Sequence, residues 1–206
     1  MVFEALILSR LNFYFANNNL LTPNQFGFKK GMSTTNAIGG VVDAVVSALD
    51  GSQSLGGIFC DLSKAFDCVN HAILLGKLHS YGVRGSALSL LSPYLSQRKQ
   101  AVRIEGEGCS SYGSWKTVTS GVPQGSILGP FLFSVYINDL PANINAKFVS
   151  LYADDTSTIS LDSCKERIST SMVQTYDSLQ KWFDNNGLHL TEKKTKNCSL
   201  FNKQRE

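Results

Sequence analysis

No run in this 206-residue chain reaches the roughly 18 consecutive apolar residues that a membrane-spanning helix needs, so a bilayer is not its expected medium. The first ten residues, Met1 to Arg10, place an acid at Glu4 and lack the charged-then-apolar-then-small order of a secretory leader. Cysteine offers no scaffold either. Cys60, Cys68, Cys109, Cys164 and Cys198 are scattered and odd in number, without the close pairs of a zinc site or a disulfide framework. The expected setting is therefore intracellular, nuclear or cytoplasmic and not secreted, and the glycosylation match Asn197-Cys198-Ser199 is expected to be accidental. The three histidines, His71, His79 and His189, show no ligand spacing and read as structural. Excess charge is also small: 19 Lys and Arg face 16 Asp and Glu, a formal net charge of +3, which tolerates a nucleic-acid partner without indicating one. Internal repeats and low-complexity tracts are missing, which excludes a solenoid.

What is present is a hydrophobic fraction of 43%, enough to bury a core in one large domain or two packed lobes. Phe3, Ile7, Leu11, Tyr14 and Phe15 recur at helical spacing and stop at Asn17-Asn18-Asn19, which predicts an opening helix. Ser33 or Thr34 can cap a second helix, with Ile38, Val41, Val42, Val45 and Leu49 on one apolar face. Leu55 to Cys60 is a short apolar run that delivers Asp61 at its end, the pattern of a buried strand. Helices are expected from His71 to Tyr81 and from Ser86 to Ser96, the latter kinked or broken at Pro93. Two strands, Gln100 to Ile104 and Trp115 to Thr119, are expected to pair across a Gly/Ser-rich turn. A loop from Ser120 to Ser126 leads into a helix from Ile127 to Asp139. An amphipathic helix then carries Ile168, Met172, Tyr176, Leu179 and Phe183, and a last strand-like piece runs from Cys198 to Asn202. This mixture favours an α+β fold with a largely antiparallel sheet.

The chemistry gathers around Val149 to Ile159, where Asp154 and Asp155 stand between two strand-like runs and are expected at a hairpin tip. Adjacent carboxylates repel and are disfavoured beside apolar strands unless a cation or a shared proton compensates. Asp61 and Asp154 each end an apolar strand run, so antiparallel neighbours could bring them together around Mg²⁺, a hard ion that prefers oxygen and leaves positions for substrate phosphates. Two such ions about 3.5–4 Å apart would serve an in-line phosphoryl displacement. Upstream, Lys29 and Lys30 lie among Phe26 and Phe28, which suits a nucleic-acid backbone or a triphosphate, and equally a solvated loop anchored by two rings.

Three stretches in order carry a resemblance. Phe59 to Asp67 resembles the first catalytic motif of reverse transcriptases, Ser120 to Ser126 their Pro-Gln-Gly loop, and Tyr152-Ala153-Asp154-Asp155 their active-site hairpin. Gln25 to Thr34, Ser63 to Asp67 and Gly187 to Lys196 narrow the resemblance to non-LTR, LINE-like retrotransposons. The resemblance implies a polymerase palm: an antiparallel sheet packed on helices, ferredoxin-like, with a partial fingers subdomain. Residues 1–54 would be partial fingers and 55–206 palm, with a fingers-side insertion at about 70–120. It implies RNA-directed DNA polymerase activity with two Mg²⁺ or Mn²⁺ ions, dNTPs, and an RNA template with a DNA primer. Asp61 and Asp154 become the principal metal ligands, the Leu62 carbonyl assists, and Asp155 supports the site and the primer end. Phe66 falls at a steric gate against the ribose 2′-OH, and Pro123, Gln124 and Gly125 lie along template and incoming nucleotide. Lys194 is placed to give a proton or charge to departing pyrophosphate, with a solvated basic run as its plainer reading. Asp67 is expected to cap or pair locally in preference to binding metal.

The chain is also expected to be truncated, without the thumb, the endonuclease and the upstream Arg-Pro-Ile type motif of the family, a gap that Lys29 and Lys30 would not fully fill. An inactive remnant that acts at most as a nucleic-acid-binding module is therefore the alternative function. An aspartic protease fits poorly: Asp155-Thr156-Ser157 lacks the glycine of that loop and has no matching second loop.

Overall fold

In the computed structural model, which describes residues 2–106, 109–191 and 193–200, the apolar stripe of the opening segment folds as helix α1 (Val2–Asn17). Its Leu11 and Phe15 enter the main core, where the Phe15 ring meets Phe131 edge-on at 5.1 Å. Helix α2 (Thr34–Asp50) starts at Ser33, whose backbone N–H donates to the Asn36 side chain at 2.8 Å. That apolar face is not the one turned inward. The inward stripe is Ala37, Ala44 and Ala48, while Ile38, Val42 and Leu49 are exposed and Val41 and Val45 are half-buried. Gly40 gives the reason: a Cβ there would lie 2.5 Å from the Phe148 ring, so the helix approaches the sheet on small residues and the large aliphatics turn outward.

Strand β1 (Ser54–Cys60) is followed by the short helix α3 (Ala65–Cys68), then α4 (His71–Ser80), capped by the Asn70 side chain accepting from Ala72 and Ile73 N–H groups. Helix α5 (Ser86–Ser96) continues through Pro93, because Leu91 and Leu95 on either side of it are fixed in the core. The expected pair of strands over 100–119 is replaced by two small ladders. Strand β2 (Lys99–Gln100) pairs with β5 (Lys116–Thr117), and β3 (Arg103–Gly106) pairs with β4 (Cys109–Tyr112) inside the supposed turn. Helix α6 (Gly129–Tyr136) is apolar on nearly every side and buried throughout its described length apart from Pro130. Strands β6 (Phe148–Tyr152) and β7 (Asp155–Asp162) form the hairpin, α7 (Lys165–Asn185) buries Ile168, Leu179, Trp182 and Phe183, and β8 (Lys196–Leu200) closes the chain. Phe201 and Asn202, the end of the expected last strand, lie outside the described residues.

The strands order as β6-β7-β1-β8, all antiparallel. One face of the sheet packs on α7, where a Cβ on Gly56 would meet the Met172 sulfur at 2.4 Å. The opposite face carries Leu55, Gly57, Phe59 and Asp61 by strand alternation; α2 covers its far end through Leu55 and Ile159 and leaves the Asp61 end open. Among the described residues, Cys60, Cys68, Cys164 and Cys198 are free thiols, and no helix is long and apolar enough to cross a membrane.

Candidate active site

Register, more than proximity in sequence, assembles the acids. Cys60 and Thr156 are the last pair of the β1–β7 ladder, and Asp61 and Asp155 are the next residues outward on the two chains, both on the open face by strand alternation. Tyr152 pairs with Asp155, which leaves Ala153 and Asp154 as a two-residue turn; Asp155 is thus the first strand residue and only Asp154 belongs to the tip itself. Ala153 has φ 56°, in the left-handed region that favours glycine. The segment after α7 completes the corner. Ser63 N–H donates to the His189 carbonyl and Thr191 N–H to that of Asp61, both at 3.0 Å, around a Leu62–Leu190 bridge. In such a pair the hydrogen bonds run through the flanking residues, so the Leu62 carbonyl turns away from Leu190.

The same segment brings Lys194, whose Nζ lies 3.2 and 3.3 Å from the two carboxylate oxygens of Asp61. Partial burial holds the Asp155 carboxyl above the usual carboxylate range, the negative charges of Asp154 and Asp61 add to the shift, and Lys194 opposes it. These donors are hard oxygens short of positive charge, the chemistry that suits Mg²⁺ or Mn²⁺. Among the described residues, no three acidic, histidine or cysteine side chains converge closely enough to cage an ion by themselves. A cleft of about 440 Å³, bordered by Ile38, Val41, Phe59, Tyr152 and Asp155, opens beside the corner between α2 and the sheet.

The gate position forms a second cluster. Phe66 stacks on the buried Phe133 at 4.4 Å between centroids, and a second ring, Phe28, meets it edge-on at 6.0 Å. The Pro-Gln-Gly loop forms a third. Its Gly121, at φ +85°, lies so close to Asp67 that a Cβ would stand 2.9 Å from the Asp67 backbone. The Gly121 carbonyl accepts from Arg98 at 2.7 Å and lies 2.9 Å from His71 Nε2, which agrees with a structural histidine. Gln124, 57 positions along the chain, donates to the Asp67 carboxylate at 2.9 Å, while Gly125 sits at φ +76°. Pro123 anchors the turn into α6, its carbonyl accepting from the Ser126 hydroxyl at 2.7 Å. Lys29 and Lys30 do not join the carboxylates; they border another cavity, of about 680 Å³, between α1 and the start of α6.

Sequence reasoning missed the segment that holds the hairpin. Asn24 and Phe26 pair with the outer edge of β6, Phe26 N–H to the Leu151 carbonyl at 2.8 Å and Leu151 N–H to that of Asn24 at 2.9 Å. The sequence marked this stretch through the Gln25 to Thr34 resemblance and its lysines and rings, none of which points to a pairing with the hairpin.

Asp155→Asn tests the electrostatic description without activity. A carboxyl whose folded pKa is raised costs stability when ionised: the cost is absent below the ordinary carboxylate pKa and complete once pH passes the raised folded value. In chelator-treated buffer the variant is therefore expected to melt above the parent at pH 7, and the gap should close on acidification. Equal melting temperatures at pH 7 would show that the corner carries no such repulsion.

An antiparallel sheet backed by helices, with acids gathered at its open end, defines a polymerase palm. Residues 2–206 match the family model described as reverse transcriptase (RNA-dependent DNA polymerase), and the chain belongs to that family. Among curated proteins it is 30% identical over 194 residues to the probable RNA-directed DNA polymerase from transposon BS of Drosophila melanogaster, covering 88% of this chain and 20% of that protein. It is 32% identical over 193 residues to the RNA-directed DNA polymerase from mobile element jockey of Drosophila funebris, covering 87% and 20%. These relatives come from non-LTR retrotransposons, and the chain spans about a fifth of their length. Among solved structures, apo telomerase from Candida tropicalis superposes with a TM-score of 0.69 at 11% identity, over 95% of this chain and 36% of that one. Telomerase from Candida albicans, in complex with a fragment of telomeric RNA, gives 0.64 at 14% identity, over 95% and 34%. At such identities the likeness shows the fold.

Proposed function

We propose that the chain is the polymerising part of a retrotransposon reverse transcriptase, adding dNTPs to a DNA primer 3′-OH on an RNA template inside the cell, in nucleus or cytoplasm. The observation that carries this reading is the meeting, at the open end of the β1–β7 ladder, of Asp61, one residue past the last pair, and Asp155, the first residue of β7, with Asp154 in the adjoining turn and Lys194 on Asp61. Asp61 and Asp154 would hold two divalent ions, Mg²⁺ or Mn²⁺, with the Leu62 carbonyl assisting and Asp155 supporting the primer end. Bound there, such ions lower the pKa of the attacking hydroxyl and offset charge on the leaving oxygen. Because no three acidic, histidine or cysteine side chains among the described residues converge on one point, the remaining ligands would come from substrate phosphates and water, as Mg²⁺ commonly arranges.

Lys194, now spent on Asp61, would be freed as positive charge enters the corner, and its ammonium would then face departing pyrophosphate. Phe66 would exclude the 2′-OH, while Gln124 and Gly125 follow template and nucleotide, with Pro123 setting the loop. Lys29 and Lys30 would meet nucleic-acid or triphosphate oxygens from the far side of Phe28. In this reading residues 1–54 act as fingers and 55–206 as palm, with 70–120 a fingers-side insertion. Primer extension and duplex binding, measured on one preparation with and without divalent metal, test it. Metal-dependent extension is the expected result; binding without extension would favour the inactive binding module.

A further inference from the structure

One short segment touches both halves of the site. At its start, Asn24 and Phe26 extend the β6 edge, and the Asn24 side-chain amide donates to the Val149 carbonyl at 2.6 Å. At its middle, Gly27 lies against the catalytic turn: a Cβ there would stand 2.3 Å from the Ala153 nitrogen, a backbone atom that cannot swing away. The buried Gln25 side chain locks this approach by accepting from Gly27 N–H at 2.9 Å. At its end, Phe28 adopts φ 57°, a strained backbone for a bulky residue, and that turn presents its ring to Phe66. The far side of Phe66 is closed by Phe133, which is wholly buried and cannot yield, so the freedom left to the gate ring lies toward Phe28.

We propose that residues 24–28 form a strap that sets two things at once: Gly27 positions the Asp154-bearing turn, and Phe28 sets how tightly Phe66 excludes a 2′-OH. Gly27 and Phe28 are positioning residues, each acting through a neighbour. The gate half rests on the polymerase reading above; the hairpin half does not, since it concerns backbone order alone.

The test therefore has two arms. In amide hydrogen exchange, Gly27→Ala is expected to speed exchange of the Leu151 amide roughly tenfold or more, while amides of α4 and α6 keep the parent's rates. Asn24→Ala, which removes the side-chain bonds to Val149 and Thr22 and adds no clash, should move the same amide in the same direction and serves if Gly27→Ala fails to fold. Unchanged exchange in the folded variants would overturn the hairpin half. In the second arm, the ratio of ATP to dATP incorporation is compared across Phe66→Val, Phe28→Ala and Phe28→Leu. Phe66→Val should raise the ratio roughly tenfold, Phe28→Ala about fivefold, and Phe28→Leu should restore most of the discrimination. A raised ratio in Phe66→Val with none in Phe28→Ala would overturn the gate half and leave the polymerase reading intact. Extension that survives Asp154→Asn would instead sink the polymerase reading while the exchange result stands.

Discussion

Asp154→Asn is expected to lower primer extension by roughly 10²–10³-fold, the scale on which removing one preorganised charge slows a reaction that develops charge in its transition state. The substitution preserves shape and a hydrogen-bonding oxygen but removes the negative charge. Asp61→Asn should lose at least as much, because Asp61 also carries the ion pair that parks Lys194 at 3.2 Å. Neither change should unfold the protein: both residues sit at the open end of the sheet, away from the packed core. The measurement is extension on a primed RNA template in Mg²⁺ and in Mn²⁺, with melting temperature as the control. Extension at the parent's rate in Asp154→Asn would refute the assigned role of the hairpin.

A large loss of stability is expected from Asp139→Ala. Lys77 on α4 is only 14% exposed, yet it reaches the Asp139 carboxylate and the Tyr136 carbonyl at 2.6 Å each, and stands over the Trp182 ring at 4.6 Å. Burial pulls the Lys77 pKa down, and the Asp139 hydrogen bond and charge push back. Removing one partner of such a pair strands the other, which costs about 3–5 kcal/mol in buried cases; the lower end applies because Asp139 keeps 39% of its side-chain exposure. The deficit should shrink as pH rises, since the stranded ammonium can then lose its proton. Replacing both partners, Lys77→Met with Asp139→Leu, should recover most of the loss, because no unpaired charge remains. Denaturant unfolding of the single and the double variant checks this, and a single variant as stable as the parent would show that solvent already compensates Lys77.

Much of the architecture was legible as local pattern. The spacing of Ile168, Leu179 and Phe183 marked α7, and the apolar run into Asp61 marked β1, because periodicity and turn residues are local properties. The order of the three motifs was enough to point to the family. Patterns failed where a third body decided the outcome. The large aliphatics of α2 form one apolar face, yet the close approach of Gly40 to Phe148 turned the alanines inward. Similarly, the 100–119 region reads as one hairpin in sequence and folds as two ladders, with β3 exposed along its length and no buried side chain in it to enforce a single register.

The sequence by itself determined which groups are available: Asp61, Asp154, Asp155 and Lys194, the Pro-Gln-Gly loop and the Phe66 ring. Only the tertiary structure decided how they meet. The β1–β7 register brought Asp61 and Asp155 to the same end of the sheet, the bridge at Leu62–Leu190 carried Lys194 onto Asp61, and the strap at Gly27 closed on the turn. Each is a pairing between segments far apart in the chain, fixed by backbone hydrogen bonds and excluded volume, and neither of those is written in the spacing of residue types.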